Sequence, residues 1–208
     1  MPRSTPLKLR RPFNGRRNFN VISEPAKRSK SVAFFNGYGT ELNMFRPGGR
    51  GEEFLSDLEY LAQTTYMLRR NSDAFAGGHW TPLIGSGADR VYVNSWNAGQ
   101  KKIFTVLNMD YRGYTGPLFS PGDTTGRHLV SLFRHEELNP SVINNTLAVS
   151  VDLPGWSQTV SGTRRESSID CIALLPRLIN AEFRGNSLRV TSAASGTLLV
   201  SRGRPGYT

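Results

Sequence analysis

At 208 residues, the chain has room for one ordinary domain with its own core, or for one domain and part of another. Apolar residues at 38%, with 21 glycines and 12 prolines, point to a loop-rich, strand-containing protein and away from a helical bundle. No apolar run approaches the roughly eighteen residues of a membrane-spanning helix. The charged N-terminus lacks the apolar stretch of a secretory signal, and nothing assigns a compartment. The single cysteine, Cys171, excludes an internal disulfide and a cysteine-rich zinc site.

The formal net charge of +10 is unevenly spread. Residues 1–30 hold nine Lys or Arg against Glu24 alone, whereas the remaining residues are nearly neutral. Residues 1–31 show no sustained period, only isolated apolar residues and four prolines, so they are expected to be a disordered basic arm. Arg10, Arg11, Arg16, Arg17, Lys27, Arg28 and Lys30 are its candidate phosphate-binding residues. The competing reading is a solvated tail, since no nucleic-acid-binding motif accompanies the charge.

Residues 32–78 are expected to form a strand–loop–helix unit. Ser31-Val32-Ala33-Phe34-Phe35 reads as a short buried strand, stopped by Asn36-Gly37-Tyr38-Gly39. The residues at 54, 55, 58, 61, 62, 65 and 68, apolar but for Thr65, predict a helix over 52–70 with that stripe on the core. Glu52, Glu53 and Asp57 at its start and Arg69 and Arg70 at its end suit the helix dipole.

From residue 79 the pattern changes to period 2 and short apolar runs. Residues 90–96 and 101–108 flank Asn97-Ala98-Gly99-Gln100, a hairpin turn. Further strands are expected at 129–133, 147–153, 169–175, 187–190 and 197–201. The fold class predicted is mainly β, an antiparallel sandwich over 79–202 preceded by the strand–loop–helix unit and the arm, with a tail at 203–208. Cys171, between apolar neighbours, is expected to be an inert core thiol.

Asp89-Arg90-Val91-Tyr92-Val93-Asn94-Ser95-Trp96, followed by Lys101-Lys102-Ile103-Phe104-Thr105-Val106-Leu107-Asn108, resembles the hairpin that opens the C-terminal sandwich of TIM-barrel glycoside-hydrolase-like proteins. Trp80-Thr81-Pro82-Leu83 resembles the linker that precedes it. His135-Glu136-Glu137-Leu138 and Ile169-Asp170-Cys171-Ile172-Ala173-Leu174-Leu175 resemble later sandwich elements. The resemblance spans residues 32–200. It implies that residues 32–75 correspond to the last β/α unit of a barrel and that about seven preceding units are missing.

A glycosidase needs two carboxylates across the scissile bond, assembled in a barrel from several strand ends. The resemblance leaves one strand end here, with Asn36, Tyr38 and Glu41. Glu41 alone performs neither role, and pairing with Arg46 or Arg50 is the simpler expectation. Tyr38, Glu41, Trp80 and Trp156 are the candidate carbohydrate-binding residues, because aromatic faces pack on sugar CH groups. For Trp96, core packing is favoured.

His135-Glu136 lacks the second histidine of a zinc-protease motif, since position 139 is Asn. His79, His128 and His135 are unevenly spaced, so neither metal nor cofactor is expected. No nucleophile elbow or Walker loop is present.

The sequence therefore points first to a non-catalytic, carbohydrate-associated module, the C-terminal part of a glycoside-hydrolase-like polypeptide with a barrel as its partner. The alternative is a nucleic-acid-associated or capsid-like protein using its arm on phosphates. A third is a fragment with no independent function, left with an exposed strand edge.

Overall fold

The computed structural model describes residues 30–39, 51–77, 79–110, 112–155 and 169–198, with side chains in the long helix from Leu58 onward. The predicted mainly-β antiparallel architecture is observed. A short helix α1 (residues 30–35), helix α2 (Gly51–Arg70) and helix α3 (Ser72–Gly77) precede eleven strands among the described residues. These strands are β1 (His79–Thr81), β2 (Val91–Ala98), β3 (Lys101–Asn108), β4 (Tyr114–Phe119), β5 (Arg127–Ser131) and β6 (Glu136–Leu138). They continue as β7 (Ser141–Ile143), β8 (Thr146–Leu153), β9 (Ile169–Pro176), β10 (Ile179–Arg184) and β11 (Ser187–Ser192).

A six-stranded antiparallel sheet, ordered β1-β2-β3-β9-β5-β6, organises the molecule. One face packs on a three-stranded sheet, β4-β8-β7, through Phe104, Val106, Ile172 and Leu174 against Phe119, Val149, Val151 and Leu153. The other face packs on the helices, where Ile103, Leu107, Cys171 and Ala173 share a core with Phe34, Tyr60, Met67 and Ala74. Because β3 and β9 are covered on both faces, their sequences read as mostly apolar runs, broken only by Thr105 and Asp170 within them. Strand β8 alternates Val149, Val151 and Leu153 inward with Ser150 and Asp152 outward, as a singly covered strand should. Cys171, fully buried, faces the helical side; burial, the larger effect, and the neighbouring Asp170 push its thiol well above the usual range.

Two expectations from the sequence are corrected at the helices. Residues 31–35 form a helical turn instead of a strand, with Lys30 and Ser31 already inside it and buried. The six-stranded sheet has its own edge strands, so this segment docks on the sheet face through Phe34 and Phe35. The carbonyl of Phe35 accepts hydrogen bonds from Asn94 Nδ2 at 3.0 Å and Thr105 Oγ1 at 2.7 Å, residues directly opposite on β2 and β3.

The second correction concerns α2. Its sheet-facing residues are Tyr60, Thr64, Met67 and then Asn71, whereas Leu58, Ala62 and Tyr66, at spacings of four, are exposed on the far side. Phe54 and Leu55 lie outside the described side chains. The helix is held by Ser31 Oγ and Tyr60 OH at 2.9 Å and by Gln63 Nε2 donating to the Phe133 carbonyl at 2.9 Å. Beyond its end, Lys101 Nζ donates to Asp73 at 2.6 Å and to Asn71 at 3.3 Å, tying the β2–β3 turn to α3.

Strands β10 and β11 form a separate two-stranded hairpin. Their register puts Ile179, Ala181, Phe183, Leu188 and Val190 on one side, with Phe183 81% exposed. The strand expected at 197–201 is absent at 197 and 198, and the rest of it and the tail lie outside the described residues.

Asn94→Ala removes the bond to the Phe35 carbonyl and also the acceptor for the Leu83 N–H. It is expected to lower the free energy of unfolding by about 1–3 kcal/mol, measured by urea denaturation. A loss within error would mean that Thr105 alone holds α1.

Candidate functional site

Two regions bear on function: an aromatic seam beneath the helices and a polar groove at the edge of the sandwich. The seam contains one of the sequence-predicted sugar contacts, Trp80. Trp80 on β1 is half-buried, its ring centroid 5.4 Å from that of Trp96 at an interplanar angle of 31°. Trp96 is buried, as favoured from the sequence, and meets Phe75 of α3 edge-on at 5.1 Å. It also donates through Nε1 to Thr105 Oγ1 at 3.2 Å.

Gly37 closes the seam. Its φ is +74°, and a Cβ there would lie 2.9 Å from the Trp96 ring, so only glycine fits both the turn and the ring. Tyr38, the next residue, is half-buried. One face of Trp80 is thus occupied by protein, and its indole N–H is buried with no partner among the described residues. Glu41 and Trp156 lie outside the described residues, as do Arg10, Arg11, Arg16, Arg17, Lys27 and Arg28. Lys30 is buried at 8% exposure in α1, set apart from the solvated cations expected of an arm. Trp80 thus lies in the seam, Tyr38 follows the glycine that closes it, and the rest of the predicted set lies outside the described residues.

The groove lies between the β4–β8 pair and the turn joining β5 to β6. Two adjoining hollows of ≈ 290 and ≈ 620 Å³ share Thr115, Arg134 and Asp152 as lining residues. Asp170 closes its inner end. It sits on β9 with the parity of Ile172 and Leu174, and its side chain is only 3% exposed. Its Oδ1 accepts from Ser131 Oγ and from the Cys171 N–H, both at 2.7 Å. Its Oδ2 has Arg134 Nε at 3.9 Å, too long for a hydrogen bond.

Burial lifts the Asp170 carboxyl above the ordinary range, opposed by Arg134 and by the two hydrogen bonds. Further out, Thr115 Oγ1 donates to Asp152 at 2.6 Å, and Arg134 Nη1 lies 3.8 Å from Glu136. Arg134 and His135 occupy the β5–β6 turn, where His135 has φ +57°. No group of His, Cys, Asp and Glu among the described residues is arranged to hold a metal ion.

The sequence reading missed this groove. One signal was available: Asp170 interrupts an otherwise apolar strand, and a buried carboxylate requires specific partners. Those partners come from a turn and from strands distant in sequence, so spacing does not reveal them.

No family model matches the chain, and no curated protein matches it. Among solved structures, it is similar to a noncanonic maltogenic alpha-amylase, AmyB, from Thermotoga neapolitana, with a TM-score of 0.39 and 20% identity. The match covers 61% of this chain and 34% of that one, so the chain spans about a third of that structure's length. The superposition is too loose to carry an activity from one chain to the other.

The raised Asp170 pKa has a consequence for stability. The folded chain holds this proton more tightly than the unfolded chain, so stability falls as pH climbs from the ordinary carboxylate range through the folded value. Asp170→Asn keeps an acceptor for Ser131 and Cys171 and removes the ionisation. Urea denaturation across a pH series should show the variant at least as stable as the parent at neutral pH, with the difference shrinking toward acid. A variant clearly weaker at neutral pH would mean that attraction to Arg134 outweighs desolvation.

Proposed function

We propose that this chain is a non-catalytic, carbohydrate-associated module, the C-terminal part of a glycoside-hydrolase-like polypeptide. The observation that carries the reading is the two-sidedness of α2. One side of the helix covers the six-stranded sheet, while Leu58, Ala62 and Tyr66 on the other remain exposed, Leu58 at 42%. A surface helix is normally polar on the side away from its core, and apolar residues gathered there, here beside Arg69, mark a surface that another layer can cover. A barrel packed on the far side supplies the missing layer and agrees with the sequence resemblance of residues 32–200.

The non-catalytic part of the reading draws support from the same architecture. Barrel hydrolases draw their carboxylates from the ends of several parallel strands. The described strands of this chain pair only antiparallel. The module supports the barrel and extends its contact with substrate.

The test compares the full chain with one lacking residues 1–29, a cut that leaves the buried Lys30 and Ser31 in place. Each is screened against soluble polysaccharides and a mixed-sequence oligonucleotide at low and high salt. Polysaccharide binding that survives both truncation and salt, with no reducing ends released, is the expected result. Salt-sensitive oligonucleotide binding that disappears with the arm, and no polysaccharide binding, would replace this reading with the nucleic-acid-associated one.

A further inference from the structure

We propose that the groove between the β4–β8 pair and the β5–β6 turn binds a neutral sugar unit through its hydroxyls, with Arg134, Glu136, Asp152 and Asp170 as the polar contacts and Tyr114 as a wall. The proposal rests on the carbohydrate-associated reading and gives it a location apart from Trp80.

Size is the first argument. The two hollows, ≈ 290 and ≈ 620 Å³, meet at Thr115, Arg134 and Asp152, and together fall in the range of small-molecule sites. The walls are fixed. The Tyr114 hydroxyl donates to the Pro117 carbonyl, which holds the ring in place. Gly113, at φ +82°, brings the start of β4 so close to the end of β8 that a Cβ would sit 2.6 Å from the Leu153 carbonyl oxygen. Gly116, at φ +145°, leaves the lining without a side chain beside Tyr114.

The polar groups select the ligand class. Arg134 and Asp152 line both hollows, with Glu136 and Asp170 beside them in the smaller and Arg112 in the larger, so each hollow presents both signs of charge. A phosphate would meet carboxylates, and a cation would meet guanidinium groups. A sugar hydroxyl both donates and accepts, so adjacent hydroxyls satisfy an arginine and a carboxylate together.

Asp170 adds the strongest indication. It is a buried carboxyl with one oxygen saturated by protein donors and the other facing the groove without a hydrogen bond. That oxygen is open to the groove, where a ligand hydroxyl can donate to it. Arg134, already 3.9 Å from Asp170 and 3.8 Å from Glu136, reaches both acids and a ligand placed between them.

The test is saturation-transfer NMR on the full chain with maltose, cellobiose and chitobiose as probes, and inorganic phosphate and calcium as charged controls. Asp152→Ala and Glu136→Gln alter exposed or half-exposed positions, and urea midpoints confirm that each variant folds. At least one disaccharide should bind the parent chain, and each substitution should weaken it by about tenfold, the loss expected for one charge-assisted hydrogen bond. Phe183→Ser, on the exposed β10–β11 hairpin, should leave the affinity unchanged. Sugar binding that both groove variants retain would overturn this site and leave the carbohydrate reading standing. Absence of binding by the parent chain to all three sugars and to the polysaccharides would overturn the reading and the site together. Phosphate binding in place of sugar binding, lost in Arg134→Ala, would overturn the neutral-ligand assignment.

Discussion

The carbonyl of Phe35 is the point on which the helical layer depends. The last carbonyls of a helix have no intrahelical partner, and α1 is too short to share that deficit along its length. Asn94 and Thr105, opposite each other on neighbouring strands, both donate to this oxygen from a sheet face that is otherwise apolar. Either residue would be an uncompensated polar group on that face without α1. The clip thus sets where the helix sits, and the bond from Trp96 to Thr105 extends it into the aromatic seam. The three groups satisfy one another, which makes the arrangement cooperative in the sense of a closed network.

That placement explains the double burial of the central strands. With the helices on one face and the small sheet on the other, β3 and β9 have no solvent side. Their sequences were legible as strands for this reason, as was the β2–β3 hairpin, which turns at Gly99 with φ +59°. Strand β4 was not legible, because Tyr114-Thr115-Gly116-Pro117-Leu118-Phe119 carries a glycine and a proline within it. A register shift between Pro117 and Phe119 accommodates them in its pairing with β8. Residues 31–35 read as a strand because a short apolar run is compatible with either structure. The decision came from the docking partners, which lie some sixty and seventy residues away.

The candidate site was less legible than the fold. Sugar contacts were sought among aromatic residues, yet Trp80 and Trp96 pack on each other and Trp96 belongs to the core. The groove is built from a turn, two strand ends and a carboxyl inside an apolar strand. Each of these has an ordinary structural reading when taken alone. Only their juxtaposition around Arg134 distinguishes them, and that depends on the order in which β5, β9 and β6 enter the sheet.

The single cysteine gives the layered design an internal reporter. Cys171 lies on β9 beneath the helices, fully buried, in surroundings that suppress the thiolate form. Chemical attack on a thiol requires that form together with access. The sulfur therefore becomes reactive only when the helical cover lifts from the sheet or the sheet itself opens. The rate at which a thiol reagent labels the native chain is consequently a clock for those openings. Any partner that packs on the far side of α2, such as the proposed barrel, would hold the cover down and slow that clock without touching the sulfur.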